Sequence, residues 1–288
     1  MSKRFVLSLI FLILVLALAA EILVSEPEDH LKVSFLDVGQ GDSILIQAEN
    51  GSNILIDGGP DKRVMKRLSE QLDFGERNLD AVILTHPHYD HFFGLNSVIK
   101  RFEVGKLFLP PTEEDSPAFK NFLQRVAIEE VPMIQVTAPL KINVSSACDL
   151  EFLHPRIEDD SYSNLNDISI VNKLECDTSS FLFTGDIEEE AEKDVLSRDI
   201  DLESDVLKVA HHGSNTSSDP EFLKQVSPDL AVIQVGENNS FGHPSLRTIR
   251  NLERLDSLVL RNDKHGTVTV IDKGNHLELV TEKDSLEF

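Results

Sequence analysis

Three histidines and one aspartate stand within six consecutive residues of this sequence. His86, His88, Asp90 and His91 follow directly after residues 81–84, an apolar run typical of a short buried strand. Neutral imidazole and carboxylate groups are ligands that zinc, iron and manganese prefer. Side chains two positions apart on an irregular loop can converge on one ion, whereas a helix would point them in different directions. The spacing therefore predicts a metal site at the end of this strand.

Other polar residues with metal-binding side chains also follow apolar runs. Asp57, Asp186 and the pair His211 and His212 each come at or near the end of a segment with strand-like composition. Taken singly, an aspartate in such a position is ordinarily a turn or helix-capping residue. Their joint recurrence at strand ends makes this ordinary role less favoured for the set as a whole.

Short apolar runs and amphipathic segments alternate along the rest of the chain. The Asn-Gly pair at residues 50–51 lies between two apolar runs and predicts a β-hairpin. Helical spacing of apolar residues predicts helices over residues 64–72 and 116–127. Strands mixed with helices, without a shift in composition, indicate a single α/β domain over residues 31–288.

The HxHxDH pattern at residues 86–91 resembles the metallo-β-lactamase superfamily. The resemblance implies that His86 and His88 bind one metal ion and that Asp90 and His91 bind a second. It further implies that Asp186 bridges the two ions. These ions would be one or two divalent metals, zinc or manganese.

The same resemblance suggests roles for residues further along the chain. His211 would be the last histidine ligand, because superfamily relatives follow that ligand with a bulky residue, a glycine and a serine or threonine. Asp57 would orient the metal-binding loop. The superfamily's lone histidine before the bridging aspartate is missing here, and Asn166 or Asp167 could supply an oxygen ligand instead. Such a ligand would either weaken one of the two metal sites or shift its preference from zinc towards manganese.

Six motifs occur in order along the chain: DVGQGDS at residues 37–43, HPHYDH at 86–91, NDIS at 166–169, FTGD at 183–186, HHGS at 211–214 and GHP at 242–244. Together they resemble the extracytoplasmic hydrolase domain of the ComEC family of DNA-uptake proteins. The resemblance covers residues 31–272 and implies a four-layer αββα sandwich with metal-dependent phosphodiesterase or DNase activity. One apolar segment cannot conduct DNA, so a membrane channel would be a separate partner.

Hydrolysis by such a site would use a metal-activated water as the nucleophile. Asp90, Asp186 or a water between them could accept its proton, and His212 and His243 are candidates for contacting phosphate or protonating the leaving group. Further candidates for binding phosphate or supporting the metal ligands are Asp37, Gln40, Gly41, Asp42, Ser43, Asp57 and Ser214.

The charge balance narrows the range of substrates. The 288 residues include 50 acidic and 27 basic side chains, which gives a formal net charge of −23. Long duplex DNA would be repelled by this charge unless a basic patch or a metal ion offset it. A short oligonucleotide, a cyclic dinucleotide or a cell-wall phosphodiester would suit the protein better than long duplex DNA. Among nucleic acids, the expected substrate is single-stranded DNA or an oligonucleotide.

The first residues are typical of an exported protein. Lys3 and Arg4 precede an apolar run over residues 5–20 that ends in small residues, as in a secretory signal peptide. An uncleaved anchor within residues 1–24 is the alternative, since residues 22–24 could extend the run. Either segment places the domain outside the cytoplasm, secreted or anchored to the outer face of the cytoplasmic membrane. Contact with the membrane would be made only through this segment.

Cys148 and Cys176 are the only cysteines, too few for a disulfide framework. They could pair in an exported protein, but we expect them to act as two small hydrophobic residues in strands.

Two other functions are compatible with the sequence. The fold hosts many reactions, so a small-molecule hydrolase of the lactamase or lactonase type is one alternative. A non-catalytic metal-binding module is the other. The motifs at residues 37–43 and 211–214, together with the missing histidine, favour the phosphodiesterase over the small-molecule hydrolase. Retention of every other expected ligand argues against the non-catalytic module.

Overall fold

The structure is a computed structural model that describes residues 30–156, 162 and 164–283. The predicted signal peptide or anchor at residues 1–24 lies outside the described residues. Within the described part, no helix is long and apolar enough to cross a membrane.

One mixed sheet contains eight strands. In chain order they are β1 (Lys32–Phe35), β2 (Ile44–Gln47), β3 (Asn53–Ile56), β5 (Ala81–Ile83), β7 (Leu107–Leu109), β8 (Met133–Gln135), β16 (Val268–Asp272) and β17 (Leu277–Thr281). Their spatial order is β17-β16-β1-β2-β3-β5-β7-β8. The strands from β3 to β8 are parallel, and the other neighbours are antiparallel.

A second sheet contains seven strands in the spatial order of the chain. They are β9 (Leu140–Asn143), β10 (Cys148–His154), β11 (Val171–Cys176), β12 (Ser180–Phe183), β13 (Val206–Lys208), β14 (Leu230–Ile233) and β15 (Leu258–Arg261). Strands β12 to β15 are parallel, and the earlier pairs are antiparallel. A separate short pair joins β4 (Asn78–Leu79) to β6 (Glu103–Val104).

Helices cover the outer faces of the two large sheets. In chain order they are α1 (Arg63–Gln71), α2 (Tyr89–Phe92), α3 (Leu95–Ile99), α4 (Pro117–Ile128), α5 (Glu189–Leu196), α6 (Pro220–Val226), α7 (Leu246–Glu253) and α8 (Asn262–His265). Helix α4 begins where the side chain of Ser116 caps the amide of Phe119 and Pro117 occupies the first turn. The predicted helices at 64–72 and 116–127 are thus confirmed within a residue or two.

Alternating side chains of the strands build separate cores on the two faces of each sheet. Ile44 and Ile46 point between the sheets and pack with apolar residues of the second sheet, including Phe183. Leu45 points the other way and packs with helix residues such as Leu68. A third core lies between the second sheet and its helices. The layers are therefore helix, sheet, sheet and helix, which confirms the αββα sandwich.

The two cysteines form a disulfide bond, so the expectation that they act only as small hydrophobic residues was wrong. Antiparallel pairing of β10 with β11 sets Cys148 directly opposite Cys176. The pairing depends on the strand register, which the positions of the cysteines in the sequence do not reveal.

Candidate metal centre

Loops from both sheets meet at the carboxyl ends of parallel strands. Strands β3 and β5 of the first sheet lead to Asp57 and to the loop at residues 86–91. Strands β12 and β13 of the second sheet lead to Asp186 and to the turn at residues 210–213. Polar side chains that lie far apart in the chain are therefore brought to one edge of the sandwich.

Three histidines converge on one oxygen of Asp186. The Nε2 atoms of His91 and His212 each lie 3.3 Å from Asp186 Oδ2, and that of His86 lies 3.9 Å away. His212 Nε2 is also 3.3 Å from Asp90 Oδ2. His86, His91 and Asp186 offer ligand atoms within 4.8 Å of one another, as do Asp90, His91 and His212.

The unpartnered atoms of this cluster fit a metal ion. The Nε2 atoms of His91 and His212 are buried, and neither makes a hydrogen bond within the described structure. A buried polar atom without a partner is costly, and two of them facing one carboxylate oxygen is an unusual arrangement. A divalent ion coordinated by these atoms would remove that cost, so the residues present fit the metal that the sequence predicts.

His88 completes the group supplied by the first sheet. Its Nδ1 lies 2.9 Å from His86 Nε2, and its ring is partly exposed at the surface of the cluster. Burial, and next the charge of His91, lower the pKa of both His86 and His88. Both imidazoles are therefore neutral near pH 7, which is the form that binds metal.

Asp57 fixes the orientation of His91. Its Oδ2 lies 2.8 Å from His91 Nδ1, so the Nε2 of that ring faces the cluster. The backbone amide and hydroxyl of Thr85 donate hydrogen bonds of 2.8 and 2.6 Å to the same carboxylate. Asp57 is fully buried and has a φ of +58°, a left-handed conformation that non-glycine residues rarely adopt.

Asp42 supports the second-sheet side of the cluster from the loop after β1. Its Oδ1 lies 3.3 Å from His212 Nδ1, and it forms an ion pair with Lys208. Lys208 Nζ also donates to the carbonyl of Gly185 at 2.7 Å and lies 3.4 Å from Asp186 Oδ1. Asp42 is 1% exposed, and its carboxylate faces these ligands.

Sequence reasoning missed Lys208 and Thr85. Lys208 stands within the apolar run of β13, and only 1% of its side chain is exposed. Lysine is almost never fully buried unless it is paired, so a lone lysine in a buried strand was a usable signal. Thr85 offered no comparable signal, since a threonine after a strand is common.

The structure places His212, and not His211, among the expected ligands. Both residues have positive φ, +48° for His211 and +53° for His212, so the two rings point in different directions. His211 Nδ1 lies 3.3 Å from both Glu188 Oε1 and Thr216 Oγ1, on the outside of the turn. The preference for His211 is therefore corrected to His212, which carries the inward ring.

Asn166 and Asp167, which stand where the superfamily has its lone histidine, contact the start of α5. Asp167 accepts a hydrogen bond of 2.8 Å from the amide of Glu188 and does not reach the cluster. Asn166 Nδ2 donates to Glu188 Oε1 at 2.8 Å, while its buried Oδ1 has no hydrogen-bond partner. Of the two candidate oxygen ligands, Asn166 therefore has a buried oxygen that is available to an ion.

Most polar groups of the DVGQGDS loop bind other parts of the protein. Asp37 contacts Arg67 of α1 at 3.3 Å, and the amide of Gly236 donates to Gln40 Oε1 at 3.2 Å. At Gly41, where φ is +130°, a Cβ atom would lie 2.1 Å from the carbonyl oxygen of Asp90. Glycine at this position therefore permits the loop to pack against the metal-binding residues.

The two candidate serine hydroxyls are also turned inward. Ser43 Oγ donates to the carbonyl of Asp57 at 3.2 Å, and Ser214 Oγ lies 3.0 Å from Thr216 Oγ1. Both serines are buried, so the expected phosphate contacts are replaced by internal hydrogen bonds.

His243 lies at the margin of the cluster. Its ring centroid is 5.7 Å from that of His211, and the residue is partly exposed. Burial, followed by the charges of His211 and His212, lowers the pKa of His243, so its ring is neutral at pH 7.

A histidine and aspartate cluster at the edge of an αββα sandwich defines a metal-binding hydrolase fold. The family model described as "Metallo-beta-lactamase superfamily" matches residues 36–134, and the chain belongs to this superfamily. The solved structure of CmlA, a diiron beta-hydroxylase from Streptomyces venezuelae, is similar with a TM-score of 0.56 and 15% identity, over 85% of this chain and 54% of that one. This likeness supports the fold alone.

The chain is also related to competence proteins of the ComEC family. It is 32% identical over 256 residues to "ComE operon protein 3" of Bacillus subtilis, which covers 82% of this chain and 32% of that protein. It is 30% identical over 247 residues to "Competence protein ComA" of Neisseria gonorrhoeae, with 84% and 32% covered. The chain thus spans about a third of the length of these relatives.

Proposed function

We propose that this chain is an exported metal-dependent phosphodiesterase that cleaves single-stranded DNA or short oligonucleotides. The observation that supports it most directly is the convergence of His86, His91 and His212 on Asp186 Oδ2. Relatedness to competence proteins supports DNA as the substrate.

The metal would be held by ligands from both sheets. When bound, a divalent zinc or manganese ion supplies Lewis-acid chemistry and an activated water for hydrolysis. The residues that would hold one or two ions are His86, His88, Asp90, His91, Asp186 and His212, with Asn166 Oδ1 as a further oxygen.

The ionisation states of Asp90, Asp186 and His243 fit them for proton transfer and hydrogen bonding in hydrolysis. Although burial opposes it, the neighbouring imidazole of His212 lowers the pKa of Asp90, and the charges of His212 and His91 lower that of Asp186. Both carboxylates are therefore ionised at neutral pH, ready to accept a hydrogen bond from the attacking water. The neutral ring of His243 can donate a hydrogen bond to the phosphate or to the leaving oxygen.

The disulfide supports the proposed location. Disulfides form and persist in oxidising compartments outside the cytoplasm, and Cys148 and Cys176 are paired here. Since the relatives are competence proteins, a membrane channel is a proposed partner.

The test is hydrolysis of bis-p-nitrophenyl phosphate and of single-stranded DNA by the purified domain with zinc or manganese. Both activities are expected with one of the metals and are expected to be lost in His212→Ala and Asp186→Asn. His276→Ala, an exposed histidine outside the cluster, serves as the matched control. Metal binding without cleavage of either substrate would refute the phosphodiesterase and favour a lactone or lactam hydrolase.

A further inference from the structure

An exposed aromatic ring lies beside the metal centre. Phe241 is 67% exposed in the loop at residues 236–244, which we call the Phe241 loop. Its ring stacks on that of His243, with centroids 5.8 Å apart and an interplanar angle of 13°. The pair therefore presents a flat aromatic face to solvent, and burial of that face would gain free energy.

A continuous row of rings connects this pair to the cluster. The ring of His243 lies 5.7 Å from that of His211, which in turn lies 6.1 Å from His212. His212 contacts Asp90 and Asp186 directly. A nucleic-acid strand stacked on Phe241 would therefore span three ring-to-ring contacts to reach His212 at the metal centre.

The Phe241 loop is held in place at both ends. At Gly236 a Cβ atom would lie 2.7 Å from the backbone nitrogen of Gln40, and at Gly213 one would lie 2.6 Å from Pro244. Inside the loop, Asn239 accepts from the amide of His243 at 2.9 Å and donates to its carbonyl at 2.8 Å. The ring of Phe241 is therefore presented by an ordered backbone, which lowers the entropic cost of binding a ligand.

The surroundings of Phe241 favour a flat polar ligand over an apolar protein surface. The neighbouring residues 237–240 are one acidic and three uncharged polar residues, and they are mostly exposed. Docking sites for proteins are ordinarily larger contiguous apolar patches. A single planar ring among polar groups instead matches the aromatic platforms on which unpaired bases stack.

We infer that Phe241 and His243 form a stacking platform for one unpaired base of a nucleic-acid strand whose phosphodiester lies at the metal centre. This inference rests on the proposed function and names what selects its substrate. Stacking of a base on an aromatic ring contributes binding free energy that does not depend on the identity of the base. A base within a duplex is paired and stacked on its neighbours, so the platform favours single strands.

The test combines a change in the protein with a change in the substrate. Binding of a fluorescein-labelled single-stranded oligonucleotide is measured by anisotropy, beside the same strand carrying abasic sites. Phe241→Ala is expected to weaken binding of the intact strand by about 5-fold to about 100-fold. The ratio of the affinities for intact and abasic strands should fall by the same factor. Phe241→Tyr should restore that ratio.

The control is Phe74→Ala, which removes a fully exposed phenylalanine from the loop after α1. It is expected to leave both affinities unchanged. If Phe241→Ala weakened the binding of intact and abasic strands equally, or weakened neither, the stacking platform would be refuted. The ring of Phe241 would then have another partner. Because binding is read separately from hydrolysis, failure of the phosphodiesterase would appear as bound strand that is not cleaved.

Discussion

Lys208 and Asp42 form a buried ion pair that joins the two sheets beside the metal centre. Asp42 belongs to the loop between β1 and β2, and Lys208 ends β13 of the other sheet. The same ammonium group lies 3.4 Å from Asp186 Oδ1. The positive charge of one lysine therefore offsets two carboxylates. Asp42 faces Nδ1 of His212, and Asp186 faces Nε2 of the same ring.

Replacing Lys208 with methionine should strongly destabilise the protein. The change leaves Asp42 buried without its partner, which costs about 3 to 5 kcal/mol. The free energy of unfolding would be measured by urea denaturation, with the exposed Lys224→Met as control. The double variant Lys208→Met with Asp42→Asn should recover part of the loss. A cost below about 1 kcal/mol for the single variant would mean that the pair is not needed.

Metal binding should distinguish the two adjacent histidines. His212→Ala removes an inward nitrogen and is expected to lower metal affinity by more than about tenfold, since even the loss of a supporting group costs at least that much. His211→Ala should have a much smaller effect, because that ring contacts Glu188 and Thr216. Manganese or zinc titration by calorimetry measures both. The reverse order of effects would restore His211 as the ligand.

Removal of the disulfide should reduce stability but leave the metal centre assembled. The bond closes a separation of 28 residues, for which loss of loop-closure entropy corresponds to about 3 to 4 kcal/mol. Thermal unfolding of Cys148→Ala with Cys176→Ala would be compared with the unreduced protein. Reductant should lower the melting temperature of the native chain and leave that of the variant unchanged. An equal effect of reductant on both proteins would contradict a structural role for the bond.

The stability of the protein should decrease between about pH 5 and pH 7 because of Glu192. Burial is the main cause that raises the pKa of this carboxyl to about 7 from an ordinary value of 4.5. The folded state therefore binds a proton that the unfolded chain releases, and stability falls as the pH rises through this window, by about 3 kcal/mol at most. Urea denaturation at several pH values measures the slope. Glu192→Gln should flatten it, and an unchanged slope would assign the effect to other groups.

Local patterns were sufficient to predict much of the fold and the first half of the site. The Asn-Gly pair at residues 50–51 lies in the turn between β2 and β3, as predicted. The loop at residues 86–91 is likewise brought to a cluster of histidines and aspartates. In both cases the informative residues are neighbours in the sequence, so composition and spacing alone carry the information.

Features that depend on distant contacts could not be predicted. The choice between His211 and His212 depends on two residues with positive φ, which no residue type in the turn signals. The partner of Lys208 lies in another sheet, and the pairing of Cys148 depends on strand register. These contacts form only when elements far apart in the chain pack together.

The division of the metal centre between two sheets has a consequence for the newly made chain. Residues 86–91 are synthesised well before Asp186 and His212, so an emerging or truncated chain holds only part of the ligand set. A domain that has not finished folding therefore lacks a complete hydrolytic centre. For the proposed phosphodiesterase, this order of assembly would delay hydrolysis until the whole polypeptide has been made and folded.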